Sequence, residues 1–420
     1  MRPLAVWLKP DTTHTSTTLE VLKQADLRPL VMSAVAALHT VKCRASPAAA
    51  GASESISCAG GIVGTPDDKL EKRAMAVLAV VTSSPEAVEG GHLVIARSLV
   101  AGARAAGHDA HLVLTPDCNF GHQVSSYVET WRTDVTRVAG RPVDQVISLR
   151  FPSYAVRHPR HVCWLNHTMR EYYDLWPRFS RSLSARARLK ETVKGAAIRT
   201  VDRWLLSHGV TEVVAQSPTI ERRLMRDIGV KADVLLPPPP PRPYRCDGYG
   251  DYVFAVSRLT PLKRLDLLIR ALALPAARTT RAVIAGDGES RPALQQLIAT
   301  LGLSERVRML GRISDEQMVD HYARCRAVCF TPIEEDYGFV TVEAFASRKG
   351  VVTCLDSGGP SDLVHDGDNG VVCEPTPEAL AHGLARVMDD VRFAEQIGAA
   401  AATRAASMTW AAAVQRLVIV

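Results

Sequence analysis

The sequence predicts two successive α/β domains, each with a parallel sheet that is covered by helices on both faces. Short apolar runs suited to buried parallel strands alternate with segments of helical period, and this alternation occurs twice along the chain. Between the two series, residues 235–243 read LLPPPPPRP. Consecutive prolines continue neither a helix nor a sheet ladder, so this stretch indicates a stiff linker between two domains.

The first domain begins with a strand–helix–strand unit. Residues 76–81 are an apolar run, followed by a polar loop over 82–89 and by Gly90 and Gly91. A helix with one apolar face comes next and ends at Gly107, and residues 111–114 form the following strand. Further strands are predicted at 146–149, 162–165 and 213–215.

The same alternation starts again after the prolines. Strands are predicted at 252–256, 281–285, 307–310, 327–330 and 351–353. Helices are predicted at 262–273, 292–301, 315–325, 339–347 and 378–388.

These patterns divide the chain into four parts. Residues 1–74 are rich in Thr, Ser, Ala and Gly without a sustained period, which predicts a disordered extension. We expect an N-terminal domain over 75–245 that ends in the Pro-rich linker, and a C-terminal domain over 246–395. Residues 396–420 are expected to form a helical segment that packs back on the N-terminal domain.

The composition excludes several classes of protein. A net charge of +6, from 50 Lys and Arg against 44 Asp and Glu, is too small over 420 residues for a nucleic-acid partner. Nine cysteines without a C-x-x-C pair predict reduced thiols rather than a disulfide framework or a zinc site. Since no apolar run reaches about 20 residues and no basic segment precedes one, we expect a cytoplasmic protein.

Basic residues are concentrated between positions 150 and 203. Twelve Lys or Arg stand there against four acidic residues, a local charge of +8. Aromatic residues are interleaved with them: Tyr154, Trp164, Tyr172, Tyr173, Trp176 and Phe179. Two interpretations stay open, a solvated helix face above core aromatics, or peripheral contact with an anionic membrane or a charged lipid-linked acceptor at the inner face of the membrane.

The segment SRLTPLKR, residues 257–264, lies where a predicted strand ends and a helix begins. Ligands of open α/β sheets bind at the carboxyl ends of strands, and helix N-termini favour anions. Arg258 and Lys263 are therefore candidates to hold phosphate oxygens, with Ser257 beside them. The alternative is a solvated basic turn.

Two glutamates with seven residues between them form the second candidate. Glu335 and Glu343 can share a ligand only if Glu335 lies in a loop and Glu343 lies one turn inside a helix. Gly338 suits this arrangement, because it permits close backbone approach where the free helix amides begin. We expect the amides of residues 339–341, which are Phe339, Val340 and Thr341, to face a phosphate. Glu343 would then accept from a ribose diol and Glu335 from sugar hydroxyls. The alternative is a charged loop that caps a surface helix.

Several smaller signals have a structural and a functional interpretation. Gly286 and Gly311 follow strands without completing a nicotinamide fingerprint, which predicts turns that leave room for a base. Gly90 and Gly91 precede a helix, so their amides are candidates for a phosphate or an acceptor. His167 comes just after a strand, where a structural and a functional role have similar support.

A metal site is not expected. Asp366 and Asp368 stand in the sequence DGDNG, which favours a tight turn over a pair of metal-binding acids. The chain also lacks a P-loop and the HExxH motif.

Over residues 75–420 the chain resembles the family 4 (group 1) retaining glycosyltransferases. The matching motifs are GG with GHDA (90–91, 107–110), SRLTPLKR (257–264), GDGE (286–289), Glu335 with Glu343, and DSGGP (356–360). The resemblance implies the GT-B fold, two Rossmann-like doubly wound domains facing each other across a cleft. Lys349 and Gly350 depart from the family pattern, which commonly has proline there.

The resemblance also implies a role for each candidate residue. Arg258 and Lys263 would bind the donor diphosphate, Glu343 the ribose, and Glu335 and His167 the transferred sugar. The implied enzyme moves a hexosyl group from a nucleotide-diphosphate-sugar to a hydroxyl of a glycan, lipid-linked or small-molecule acceptor, with retention and without a metal. The nucleotide-sugar is a substrate, so no cofactor is implied, and a role in cell-envelope or polysaccharide biosynthesis would follow.

Other functions remain open at this point. A non-catalytic nucleotide-sugar-binding subunit, a sugar-nucleotide epimerase and a phosphorylase are all compatible with such a scaffold. An unrelated two-domain binding protein is the remaining alternative.

Overall fold

The structure, a computed structural model, describes residues 75–84, 90–116 and 121–420. The expected disorder of residues 1–74 falls outside these described residues.

The N-terminal domain contains a sheet of parallel strands. Its strands are β1 (Val77–Ser84), β2 (Asp109–Pro116), β5 (Gln145–Ser148), β6 (His161–Leu165), β7 (Glu212–Ala215) and β8 (Asp233–Val234). A short antiparallel hairpin, β3 (Arg137–Val138) and β4 (Arg141–Pro142), lies outside the sheet. The described strands of the sheet follow the order β2-β1-β5-β6-β7-β8.

Helices surround this sheet. They are α1 (Gly91–Ala105), α2 (Gln123–Arg132), α3 (Trp176–Arg181), α4 (Ala185–Trp204) and α5 (Pro218–Ile228). The predicted apolar face of α1 is its buried face, with Leu93, Ala96, Leu99, Val100 and Ala103 at most 6 % exposed. This burial explains the helical period of the sequence, because those side chains cover β1 and its neighbours.

The C-terminal domain repeats the architecture. Its strands are β9 (Tyr252–Val256), β10 (Arg281–Ala285), β11 (Val307–Gly311), β12 (Ala327–Cys329), β13 (Val351–Cys354) and β14 (Gly370–Cys373). The described strands are parallel and follow the order β11-β10-β9-β12-β13-β14. The predicted fold class, two parallel α/β sheets in succession, is confirmed.

The helices of the C-terminal domain are α6 (Leu265–Leu272), α7 (Arg291–Thr300), α8 (Asp315–Arg324), α9 (Phe339–Ala346), α10 (Gly359–Leu363), α11 (Pro377–Asp389) and α12 (Val391–Ala406). Helix α6 begins three residues later than predicted. A 3₁₀ turn over Pro261–Lys263 precedes it, and Arg264 has a positive φ of 48°, which interrupts the helical path.

The end of the chain crosses back to the first domain. The expected boundary between residues 395 and 396 falls inside α12, whose Ala401 and Ala405 pack in the C-terminal core. The last helix, α13 (Trp410–Leu417), instead packs on α1, and the Trp410 indole donates to the Pro239 carbonyl at 3.0 Å. Gln145 of β5 also donates to the Leu417 carbonyl at 2.7 Å.

The aromatic residues of the basic segment 150–203 are core residues. Those at most 7 % exposed are Tyr154, Trp164, Tyr172 and Tyr173. Trp176 and Phe179 are half-buried and pack against the core cluster that contains Tyr172. The interpretation of these aromatics as part of a membrane surface is therefore wrong, because folding removes them from solvent.

The segment also exposes apolar side chains on α4. Leu189 and Val193 are 69 % and 65 % exposed, and the exposed cations Arg186, Arg188 and Lys190 flank them. None of the described helices is long and apolar enough to cross a bilayer.

Candidate functional site

Each sheet has a point where the strand order reverses, and such points are where ligands of parallel sheets bind. Successive strands lie on either side of β1 in the first sheet and of β9 in the second. A crevice opens there at the carboxyl ends of the strands. Ser257 and Arg258 follow β9, and Glu335 follows the neighbouring β12. Gly90 and Gly91 stand at the start of α1, which follows β1.

Lys263 and Glu335 form an ion pair in this crevice, with 2.7 Å between Nζ and Oε2. The two side chains are 17 % and 21 % exposed, and the Arg258 side chain nearby is exposed. Burial alone would raise the pKa of Glu335. The charges of Lys263, Arg170 and Arg258 outweigh it and lower the pKa below its usual value. Glu335 is therefore an ionised carboxylate at neutral pH, held beside the predicted cations.

Gly338 is the N-cap of α9, and its backbone lies in the left-handed region with φ of 82°. A Cβ atom there would lie 2.7 Å from the Phe330 ring, so a larger residue cannot replace it without displacing the ring. The Thr341 amide donates to the Gly338 carbonyl at 3.0 Å, so this predicted phosphate donor is already engaged. The amides of Phe339 and Val340 remain in the first turn of the helix.

Glu343 lies one turn further into α9 and is 6 % exposed. Its Oε1 accepts from Arg242 Nη1 at 2.5 Å, and its Oε2 accepts from the Tyr322 hydroxyl at 2.9 Å. Burial raises the pKa of Glu343 against the effect of these two donors. Since Arg242 belongs to the Pro-rich linker, the carboxylate expected to bind a ribose is joined to the connection between the domains.

Gly286 allows two loops to approach closely, and Gly311 lies beside it. A Cβ atom on Gly286, where φ is 123°, would lie 1.8 Å from the Ser257 carbonyl oxygen. The Ser257 amide donates to Ala285 at 3.1 Å, and the Gly286 amide donates to Gly311 at 2.7 Å. The backbone of the SRLTPLKR loop therefore packs directly against Gly286, and the expected room for a base beside this turn stays a prediction.

The DSGGP segment holds the backbone of Glu335. The Glu335 amide donates to Ser357 at 2.9 Å, and its carbonyl accepts from Gly359 at 2.8 Å. A Cβ atom on Gly358, which has φ of 74°, would lie 2.4 Å from the Glu335 carbonyl oxygen. This close approach explains the glycines of the motif and places the Glu335 side chain in the crevice.

Arg264 supports the same loop from the other side. Its guanidinium donates to the carbonyls of Thr331 and Pro332 at 2.8 and 2.9 Å. It also makes two bonds of 2.6 and 2.7 Å to the Asp356 carboxylate. The last residue of the SRLTPLKR motif therefore has a structural role, because it holds the loop that follows β12.

The N-terminal domain contributes the start of α1. A Cβ atom on Gly91 would lie 3.4 Å from the Phe339 ring, so the N-termini of α1 and α9 approach each other across the crevice. Gly90 lies beside the His92 ring, and His92 Nε2 is 3.3 Å from the Ser84 hydroxyl. Burial, with the nearby charges of Arg150 and other basic groups, lowers the pKa of His92 to about 3.

His167 faces the same region. Burial and the Arg150 charge lower its pKa to about 3, while Glu335 acts in the opposite direction, so the imidazole is neutral. Its Nδ1 is 2.8 Å from the Thr168 carbonyl and donates to it, since a carbonyl can only accept. The remaining Nε2 then carries a lone pair that can accept from a hydroxyl group.

The structure adds three residues that the sequence argument did not single out, namely His92, Arg150 and Arg242. His92 directly follows the two glycines, and Arg150 is the second residue after β5, so strand ends would have indicated both. Arg242 interrupts the run of prolines. No local pattern predicts its partner, because Glu343 is 101 residues away.

The DGDNG segment is a turn. Gly367 has φ of 76°, and its amide donates to Gly370 at 2.9 Å. Asp366 accepts from the Val372 amide at 3.0 Å and pairs with Arg386. Within 75–84, 90–116 and 121–420, no three His, Cys, Asp or Glu side chains come together as a metal site.

A protein-family model matches the C-terminal domain. The model of the family described as glycosyl transferases group 1 matches residues 245–404. The D-inositol 3-phosphate glycosyltransferase of Streptomyces griseus is 34 % identical over 166 residues, which cover 36 % of this chain and 35 % of that relative. The match thus spans about a third of the relative's length.

Solved structures extend the likeness to both domains. Sucrose-phosphate synthase from Thermosynechococcus elongatus aligns with a TM-score of 0.63 at 16 % identity, over 81 % of this chain and 97 % of that one. Anabaena HepE, solved with UDP-glucose, aligns with a TM-score of 0.56 at 20 % identity, over 81 % and 98 %. Residues 245–404 therefore resemble the group 1 glycosyl transferases, and the described chain has the GT-B fold.

Proposed function

We propose that this chain is a retaining glycosyltransferase that moves a sugar from a nucleotide-diphosphate-sugar to an acceptor hydroxyl. The observation that carries the proposal is the Lys263–Glu335 ion pair, 2.7 Å long, where the charge of Arg258 also acts on Glu335 and where α9 begins at Phe339 along the chain. Cations, helix amides and an ionised carboxylate at the carboxyl ends of β9 and β12 suit a ligand with both a diphosphate and a sugar.

The cations answer the main physical demand of the reaction. The departing diphosphate gains negative charge as the glycosidic bond breaks, and groups fixed in place before the reaction stabilise that charge most effectively. Arg258, Lys263 and the amides of Phe339 and Val340 would supply the positive field. We propose that turnover needs no divalent metal for this reason. Full activity in EDTA supports this, and loss of activity that only Mn²⁺ or Mg²⁺ restores would contradict it.

Two other groups would hold the transferred sugar. The ionised Glu335 accepts from sugar hydroxyls, and the neutral His167 accepts through Nε2 while Nδ1 donates to Thr168. Because Lys263 lowers the pKa of Glu335, this carboxylate is a weak base. We therefore propose a front-face attack in which a donor phosphate oxygen takes the acceptor proton, which retains the anomeric configuration.

A panel of nucleotide-sugars tests the proposed reaction. Release of UDP or GDP would be measured with and without candidate acceptors, and UDP-glucose is a natural first donor because HepE was solved with it. Anomeric configuration of the product would be read by NMR. Binding of nucleotide-sugar without release of the diphosphate would favour a non-catalytic binding subunit, and a changed sugar still attached to the nucleotide would favour an epimerase.

The acceptor side is proposed to work at the cytoplasmic face of an anionic membrane. The exposed face of α4 combines Leu189 and Val193 with flanking cations, which suits an anionic lipid surface. A lipid-linked acceptor for cell-envelope or polysaccharide synthesis would be reached there.

Vesicle flotation tests this contact. Binding to anionic but not neutral vesicles, weakened by salt, is expected, and Lys190→Glu should reduce it. Arg281→Glu is the matched control, since Arg281 is exposed on the C-terminal domain and pairs with Asp251. Equal binding to both lipids, or none at low salt, would contradict a membrane role.

A further inference from the structure

Two arginines of the N-terminal domain bind the loop that carries Glu335. Arg223 of α5 donates to the Asp336 carboxylate at 2.5 Å and to the Glu334 carboxylate at 2.9 Å. Arg170 donates to the Glu334 carbonyl at 2.5 Å, and its Nη1 is 3.5 Å from Asp336 Oδ2. Both residues adjacent to Glu335 in the chain are therefore bound from the N-terminal domain.

The pairs with Asp336 are largely removed from water, whereas the Glu334 side chain is 48 % exposed. Arg223 is 8 % exposed, and the Asp174 side chain, which bonds Arg170 at 2.6 Å, is 4 % exposed. A buried charge is costly unless it is paired and hydrogen-bonded. Separating the two domains would break the bonds from Arg170 and Arg223 to residues 334 and 336, while Asp174 would stay with Arg170 in the N-terminal domain. Charge-assisted hydrogen bonds are the strong ones, so the network favours the closed arrangement.

Helix α5 adds neutral contacts on the same side. The Ser217 hydroxyl, at the N-cap of α5, donates to the Asp336 carbonyl at 2.5 Å. The Thr219 amide and hydroxyl both donate to Asp362 of α10, at 2.8 and 2.6 Å. The N-terminus of α5 thus sits across the loop 334–336 and the helix that follows DSGGP.

The network also borders His167. Arg223 and Asp336 line a small cavity together with His167, Thr168 and Tyr173. The sugar-facing groups of both domains, Glu335 and His167, are thereby held relative to each other through one set of contacts.

We propose that Arg170 and Arg223 are positioning residues that hold Glu335 in its productive place only while the two domains are closed. This inference rests on the proposed function. Arg258, Lys263 and the α9 amides belong to the C-terminal domain, so nucleotide binding does not need the network. Turnover needs it, because a small misplacement of a group that contacts the reacting sugar is costly.

The test is Arg223→Gln measured against Arg226→Gln. Arg226 lies on the same helix, is 61 % exposed and pairs with its neighbour Asp227, so its variant should match the wild type. In Arg223→Gln we expect kcat to fall at least ~10-fold, while the Kd for UDP, measured by calorimetry, changes less than about threefold. Arg223→Lys, which keeps the charge, should recover part of the loss.

A second readout does not depend on turnover. Amide hydrogen exchange over residues 333–338 should become faster in Arg223→Gln and in Asp336→Asn, and stay unchanged in Arg226→Gln. The double variant Arg223→Gln/Asp336→Asn should raise the exchange rate by less than the two single effects combined, since both variants break the Arg223–Asp336 contact.

The outcomes separate this inference from the proposed function. Unchanged kcat and unchanged exchange in folded Arg223→Gln would overturn the positioning role, even in an active enzyme. Absence of turnover in the wild type with every donor would overturn the proposed function, and faster exchange in the variants would still support the network. A parallel loss of UDP binding would also overturn it, because the network would then serve the nucleotide.

Discussion

The two halves of the candidate site are held in different ways. On the C-terminal side, backbone contacts within the domain fix Ser257 against Gly286 and Glu335 against Gly358. On the N-terminal side, Gly91 meets Phe339 of the other domain, and the arginines that border His167 bind a loop of the other domain. The nucleotide-side loops of the first half are fixed within one domain, whereas the Glu335 loop and the second half also depend on contacts between the domains.

The halves differ in charge as well. Burial favours the neutral form of every ionisable group, and it keeps His92 and His167 neutral with pKa values of about 3. Glu335 stays charged because the ammonium of Lys263 is 2.7 Å away. Under the proposed function, the C-terminal half would supply fixed charges for a diphosphate, and the N-terminal half would supply neutral acceptors for a sugar.

The largest effect is expected for Gly286→Ala, which would disrupt the backbone contact that fixes the C-terminal half of the site. A Cβ atom at 1.8 Å from the Ser257 carbonyl oxygen forces two loops apart at a φ of 123°, so unfolding free energy should fall by about 4 kcal/mol or more. Gly302→Ala is the control, because φ is 66° there and no atom lies within 4 Å. It should lose only about 1 kcal/mol. Urea denaturation measures both, and equal losses would mean that the loop contact is unimportant.

The second-largest effect is expected when one cation of the C-terminal half is removed. Lys263→Ala or Arg258→Ala should lower turnover at least ~10²-fold, because each removes a donor to charge that develops in the transition state. Arg281→Ala, an exposed cation paired with Asp251, should leave it unchanged. Steady-state kinetics with a competent donor decides this, and near-wild-type rates in both variants would remove these residues from the site.

The two glutamates should separate binding from turnover. Glu343→Ala is expected to weaken nucleotide-sugar binding about tenfold, since charged hydrogen bonds contribute on this scale. Glu335→Ala should mainly lower kcat. Calorimetry with UDP alongside kinetics would distinguish them, and the reverse pattern would exchange the two roles.

The smallest expected effect concerns the pH dependence of stability, which tests whether the buried His161 is neutral in the folded protein. His161 is buried with a pKa of about 3 against an ordinary 6.5, and bonds the Ser148 hydroxyl at 2.8 Å. Between these two pH values only the unfolded chain binds the proton, so stability falls as pH drops below about 6.5. Between pH 7.5 and 5.5 the wild type should lose about 1.4 kcal/mol more than His161→Gln. Equal pH dependence in urea melts would show that His161 titrates normally.

Much of the architecture was predictable because strand and helix periods are local. The strands at 252–256 and 281–285 agree with the structure residue by residue. Helices α2 to α5 were not predicted. In α4 only Gly195, Ile198 and Asp202 are buried, so no apolar stripe marks this helix in the sequence.

The sequence by itself determined two parallel α/β domains, the linker between them, and the phosphate- and sugar-facing candidates of the C-terminal half. These follow from short segments, where a glycine or a strand end constrains the backbone directly. Only the tertiary structure decided that Arg242 binds Glu343, that the Ser257 backbone packs on Gly286, and that Arg170 and Arg223 bind residues 334 and 336. Those contacts join residues about 100 or more positions apart, or depend on backbone proximity after folding, and no local pattern encodes which buried charge meets which.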